Sequence, residues 1–397
     1  MYIAEQLKTI SLPKQYMRHG KDCYLDPYRK RLIEITPEET VRQKILAFYE
    51  SVLNVPRDMI YVEAPMVWYA ENVTGRADII IHEPYDEHLM RALAVIECKK
   101  EDVMLTDKVI EQVIRYGDII GAMYIVITNG QQFEIAKYNM NNNQYEWLDE
   151  ILSYKQMLEY DGASIEYSDK KQLPRFSVEE LDDDAKLASF NNENYHWVYG
   201  SDSPKMVRYL AVNLYQCLMD TEHVLPAKIL QFYEMVEDLG IRYMDYGNAG
   251  GGHYDGYFRS FLIKDRNNNM HIFSISLFGT FSDNDEEKRN SYTSLVIAID
   301  NEKVSHNILQ YNLDRFAKFE NGEYRFKHNG LISGKKSADL KKYIMIKGSS
   351  LVKNEKTVEL GKLRGKKLFY LDGKQESSFI YNLIEYSLLR EEFRRNI

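Results

Sequence analysis

The chain has 397 residues, 44% of them hydrophobic and 28% charged, and a formal net charge of −9. That length exceeds a single hydrophobic core and makes two domains the default, and no apolar run approaches the ~18 residues of a membrane-spanning helix. The opening residues Met1 to Lys8 lack the basic, apolar and small-residue zones of a signal peptide. Cys23, Cys98 and Cys217 are too few and too widely spaced for a disulfide framework or a cysteine metal site. A cytoplasmic protein with no membrane association is expected. The acidic balance neither supports nor excludes a nucleic-acid partner. One stretch runs against it: Gly334 to Lys367 holds eleven Lys and Arg against three Asp and Glu, a solvated face that could also neutralise phosphates.

Taken in order, Thr36-Pro37-Glu38-Glu39 opens a helix over 35–54, with threonine as N-cap, proline at N1 and carboxylates in the first turn. Val41, Ile45, Leu46, Tyr49 and Leu53 recur at helical spacing. Strands are expected over 59–63, 67–69, 77–81 and 92–97, punctuated by Gly75 and Pro84. A second helix covers about 106–119. Residues 124–128 form a β-branched strand that ends at Asn129-Gly130, and 132–138 alternates as its partner across a tight turn. A small mixed sheet with a helix on each face satisfies that order. Residues 161–185 are polar and acidic and read as a linker. Beyond them, 204–220 and 227–239 look helical, 257–264, 270–278 and 294–300 look like antiparallel strands, 368–370 a further strand, and 376–395 a closing helix.

The chemistry concentrates in the first part. Asp78 sits in the strand-like run Arg76 to Ile81, and Glu97-Cys98-Lys99 follows Ala94-Val95-Ile96. Read on neighbouring strands this is D…E-x-K, the constellation of PD-(D/E)xK nucleases. Such charged groups are rarely buried unless paired or liganding something. A hard cation such as Mg²⁺ takes oxygen ligands and keeps part of its water shell, so Asp78 and Glu97 suffice to hold it, with the Cys98 backbone carbonyl as a third ligand. Lys99, two residues after Glu97, shares its face of the strand and can orient water or offset developing negative charge. Cys98 faces the other way and reads as a packing residue. Gln112 and Tyr116, at i and i+4 of the second helix, point at one patch. Alone that spacing is weak.

Five short motifs then agree in order: Thr36-Pro37-Glu38-Glu39 with Val41-Arg42-Gln43, Gly75-Arg76-Ala77-Asp78-Ile79, Ile96-Glu97-Cys98-Lys99-Lys100, Gln112 with Tyr116, and Val126 to Gly130. The set resembles the N-terminal nuclease domain of type I restriction enzyme R subunits, over roughly residues 30–140. The resemblance implies a restriction-endonuclease-like fold and Mg²⁺-dependent DNA cleavage, with Mn²⁺ as a substitute. It implies Asp78, Glu97 and Lys99 as the catalytic core, and Gln112 and Tyr116 as the additional motif of related nucleases. Glu39 would match the helical acidic residue that approaches the metal, and Glu38 competes for that role. No Gly-x-x-x-x-Gly-Lys-Ser/Thr loop occurs, so no ATP site or helicase motor is expected. The glycine-rich stretch 247–253 lacks the Lys-Ser/Thr that would follow.

The expected architecture is an α/β restriction-endonuclease-like domain at 1–160, with a mixed central sheet flanked by helices. A linker at 161–185 and an α+β domain at 186–397, for recognition or assembly, complete it. The expected work is DNA cleavage in restriction or defence, with DNA and restriction-system subunits as partners. A catalytically inert nuclease-fold binding module, and a nuclease acting on RNA or modified DNA, are the alternatives.

Overall fold

The computed structural model describes residues 3–84, 90–159, 175–191, 197–247, 253–279, 291–300, 305–353 and 356–395. Residues 161–174 of the expected linker and 248–252 of the glycine-rich stretch lie outside the described residues. The chain divides into two compact units, Met1–Lys171 and Gln172–Ile397. Both mix helices with sheets, and among the described residues there are ten α-helices in all. None of the described helices is long and apolar enough to cross a membrane.

The first unit opens with helix α1 (Ile3–Thr9) and a three-stranded antiparallel meander, β1 (Gln15–Arg18), β2 (Lys21–Asp26) and β3 (Arg31–Glu34). Helix α2 (Pro37–Ser51) follows, and its start is fixed as the sequence dictates: the Thr36 side chain accepts a hydrogen bond from the Glu39 N–H at 3.0 Å. Such a cap contributes about 1 kcal/mol. The central sheet has the order β4 (Ile60–Pro65), β5 (Arg76–Pro84), β6 (Met90–Cys98), β7 (Tyr124–Thr128), β8 (Phe133–Asn139) and β9 (Gln144–Leu148). Only β6 and β7 pair in parallel, because helix α3 (Asp107–Ile120) carries the chain back between them. Gly121, at φ 72°, ends α3 in the left-handed conformation that favours glycine.

Strand alternation assigns the two faces. Ile79, Ile81, Ala94 and Ile96 pack against Val41, Ile45 and Phe48 of α2. Ile80, Val95 and Ile125 pack against Val113 and Tyr116 of α3. Each fully buried aliphatic side chain contributes roughly 1.5–3 kcal/mol, so these two faces hold the sheet in register. Residues 67–69, expected as a strand, are instead part of a 3-10 turn at Met66–Trp68. The strands β1, β2, β3 and β9 were not expected; β1, β3 and β9 are only partly buried, and β2, buried from Cys23 to Asp26, carries charged residues at both ends.

In the second unit six antiparallel strands follow one another: β10 (Lys228–Ile229), β11 (Tyr233–Gly247), β12 (His253–Asp265), β13 (Met270–Gly279), β14 (Thr293–Asp300) and β15 (Ser305–Asn312). Helix α4 (Lys205–Leu218) packs on their inner face. A three-stranded sheet, Ala317–Glu320, Glu323–His328 and Val358–Arg364, packs with the closing helix Lys374–Arg395. Residues 227–239, expected as helix, are the short strand β10, a bend and the first part of β11. Register shifts between Met235 and Glu237 and between Asp238 and Gly240 break the period of two and imitate helical spacing. No strand covers 368–370; the strand lies just before, at Val358–Arg364. Phe176 and Leu181 are buried in this unit's core, so that core begins within the stretch that reads as linker.

Candidate active site

Ile79 of β5 pairs with Ile96 of β6, which makes Asp78 and Glu97 the next positions at the same end of the two strands. Asp78 is 7% exposed and Glu97 3%. One Asp78 oxygen accepts from the Cys98 backbone N–H at 2.7 Å, and the other from the Arg42 guanidinium at 2.7 Å. Glu97 Oε1 accepts from Lys99 Nζ at 2.6 Å and from Gln112 Nε2 at 2.8 Å. Glu97 Oε2 is buried and has no hydrogen-bond partner.

The electrostatics follow from burial and crowding. Burial pushes the Asp78 carboxyl above its ordinary value, although Arg42 and the Cys98 N–H pull it back. Glu97 is pushed up to about 7 by burial and by the Asp78 charge, against the downward pull of Lys99. For Lys99, burial works against the charge, but the hydrogen bond and charge of Glu97 outweigh it and hold the ammonium above its usual range. Lys99 is therefore a cation here, suited to stabilising negative charge rather than to accepting a proton.

Arg42 was not singled out by sequence. Its side chain, 8% exposed, reaches from α2 to Asp78, to Glu63 at 3.0 Å and to Glu39. Both oxygens of Glu39 are engaged, one by Arg29 and by Gln43 at 2.8 Å, the other by Arg42. Glu39 thus orients Arg42. Glu38 is the more open carboxylate: it is 45% exposed, lies 3.5 Å from Arg42, and its charge acts on Asp78, Glu97 and Lys99. Glu63, between the pairs Val62–Ile79 and Ala64–Ala77, has φ 57°, a left-handed backbone that a non-glycine residue adopts at some cost.

Gln112 meets the site through Glu97, but Tyr116 does not share its contact. The Tyr116 side chain is buried among Ala77, Ile80 and Val95, and its hydroxyl lies 2.5 Å from where a Cβ on Gly75 would stand. Tyr116 therefore braces the entry to β5. The Cys98 thiol is fully buried on the α2 face, and burial holds it protonated, well above its usual range. Only the Cys98 main chain faces the site.

Two buried carboxylates, one with an unsatisfied oxygen, are a poor structural device and a good donor set for a hard divalent cation. Elsewhere among the described residues, ligand atoms of Asp220, Glu222 and His223 also lie within 4.8 Å of one another. Asp220 there is already engaged by Arg175 and His223. No curated protein and no solved structure matches the chain. Residues 37–151, under a third of the chain, match the family model of the type I restriction enzyme R protein N terminus, and every candidate site residue lies within that match.

Proposed function

We propose that the first unit is a divalent-metal-dependent nuclease of a restriction system, cutting DNA in the cytoplasm. The reading is supported above all by the juxtaposition of Asp78, Glu97 with its unpartnered Oε2, and the Lys99 ammonium at one sheet end. Asp78 and Glu97 would hold Mg²⁺, or Mn²⁺ in its place, with the Cys98 carbonyl and Glu38 as further oxygen donors. When bound, the metal supplies charge neutralisation on the phosphate and an acidified water. The chain's own residues do the rest. Gln112 and Lys99 share Glu97 Oε1 and fix that carboxylate, leaving Oε2 free. The Lys99 ammonium faces the phosphate oxygens as a water attacks phosphorus and the bond to the leaving oxygen breaks, stabilising the added charge. DNA and restriction-system subunits are the proposed partners.

The test is cleavage of plasmid, single-stranded DNA, RNA and modified DNA in Mg²⁺ or Mn²⁺, wild type beside Lys99→Ala and Asp78→Ala. Loss in both variants with folding retained is expected. Cleavage retained in either variant removes the site assignment. A folded wild type that neither cuts any substrate nor binds Mg²⁺ or Mn²⁺ by calorimetry would leave an inert binding module.

A further inference from the structure

The connection between β4 and β5 leaves and re-enters the sheet beside the site. Pro65 pairs with Arg76, and the Met66 N–H donates to the Gly75 carbonyl at 3.0 Å, so residues 66–75 form a closed excursion that ends just ahead of Asp78. Its base is fixed twice. Met66 is fully buried, and Gly75, at φ 106°, lies under the Tyr116 hydroxyl at a distance no side chain could share. The next residues turn outward: Val67 is 58% and Trp68 55% exposed, within a turn closed by Tyr69 and Ala70 N–H groups on the Met66 carbonyl. A well-anchored turn thus presents a tryptophan to solvent.

Arg76, at the return of the excursion, has a side chain 57% exposed and lies 3.7 Å from Glu63; on the adjoining strand Lys99 pairs with Glu97 and Lys100 with Asp102. An exposed apolar side chain alone needs no explanation. An exposed aromatic ring on an anchored turn, at the sheet end where Arg76, Lys99 and Lys100 offer cations that a phosphate can draw from their carboxylates, is a combination suited to single-stranded nucleic acid: rings stack on bases and cations track phosphates. A protein surface with this chemistry fits a polyanion carrying flat apolar faces better than an aliphatic partner.

We propose that Trp68 is a base-stacking residue, receiving the face of an unpaired nucleobase next to the phosphate that a metal on Asp78 and Glu97 would hold, with Arg76 on a neighbouring phosphate. The proposal rests on the nuclease reading for the position of that phosphate. It also sets the substrate class, a strand that is single or locally unpaired, because bases within an intact duplex have both faces covered.

Binding in Ca²⁺, a hard cation taking the same oxygen ligands, with no Mg²⁺ or Mn²⁺ present and the ligand checked to remain uncut, separates this from cleavage. Fluorescence anisotropy would be measured at low salt for labelled oligothymidylate, oligouridylate, a duplex of equal length and an abasic oligonucleotide. Wild type would be compared with Trp68→Ala and Trp68→Phe. Stacking is worth about 1–3 kcal/mol per base, so Trp68→Ala should weaken oligothymidylate binding about 5- to 150-fold, with Trp68→Phe close to wild type. The abasic ligand should bind wild type and Trp68→Ala alike, and the duplex should bind wild type less tightly than the single strand. The DNA and RNA arms decide which strand supplies the base. Undiminished binding by Trp68→Ala, an equal loss on the abasic ligand, or no wild-type binding to any ligand would overturn the proposal. Base-dependent binding with no metal-dependent cutting would instead refute the nuclease reading and leave the stacking residue standing.

Discussion

Arg42→Met removes the cation that Asp78, Glu63, Glu39 and, at 3.5 Å, Glu38 share. Arg42 contacts Asp78 at 2.7 Å, Glu63 at 3.0 Å and Glu39, and its side chain is only 8% exposed. Deleting one partner of a buried pair typically costs about 3–5 kcal/mol, because the remaining charge keeps its desolvation penalty. For a unit of this size each kcal/mol lowers the melting temperature by about 2–4 °C, so a loss of roughly 6–20 °C is expected in EDTA at pH 8. The cost has a ceiling, since Asp78 can take up a proton instead. Its carboxyl already lies above the ordinary value, and loss of Arg42 raises it further. The native state then holds more protons than the unfolded chain across that window, and stability falls as pH rises through it. The deficit measured by calorimetry should therefore shrink between pH 8 and pH 5.5. Millimolar Mg²⁺ should recover more of it in the variant than it adds to wild type. A loss under about 1 kcal/mol, or a deficit that grows on acidification, would refute the view that Arg42 compensates buried charge.

Glu97→Gln should abolish cleavage yet stabilise the metal-free protein above pH 7. Its carboxyl rises from 4.5 to about 7 on folding, so wild-type stability declines across that interval by about 3 kcal/mol and the variant's should not. An unchanged or lower melting temperature at pH 8 would count against it. Gly75→Ala places a methyl against the Tyr116 hydroxyl at a φ of 106°, and should destabilise by about 1–2 kcal/mol or more. Adding Tyr116→Phe should restore part of this, and strict additivity in thermal melts would exclude the clash. His328 accepts from the Tyr386 hydroxyl at 2.6 Å, and burial lowers it to about 3. Its imidazole should stay neutral in an NMR titration down to pH 4. The stability it contributes is present above its unfolded value near 6.5 and is lost as pH falls toward 3. A chemical-shift change centred near pH 6 would exclude that burial.

What could be read from sequence was whatever lies within one element or one strand pair. The cap at Thr36, the alternation that separates Lys99 from Cys98, and the helical step that links Gln112 to its face are all local. Arg42 was not legible, because its bond to Asp78 spans 36 residues and no spacing rule connects a helix to a strand that far away. Glu38 and Glu39 differ by one helical step, and only the tertiary partners Arg29 and Gln43 decide which of them turns inward. Tyr116 was placed by its spacing on the same patch as Gln112, yet its hydroxyl goes to Gly75, a matter of side-chain reach rather than period. In the second unit the two bulges of β11 defeat periodicity itself.

The Lys99 backbone N–H donates to the Thr128 carbonyl at 2.8 Å, across the parallel β6–β7 pair. Parallel pairing needs a long crossover, here through α3, so the loop from Lys99 to Thr128 closes more slowly than a hairpin. During synthesis Asp78 and Glu97 emerge well before the strand that fixes the chain between Cys98 and Lys99. Until β7 docks, two carboxylates are side by side with their main-chain framework incomplete. A chain ending at Ile120 is thus expected to remain unable to bind Mg²⁺ by calorimetry, whereas one extended through Leu148 should gain that ability. The order of emergence delays the chemistry until the sheet is closed around it.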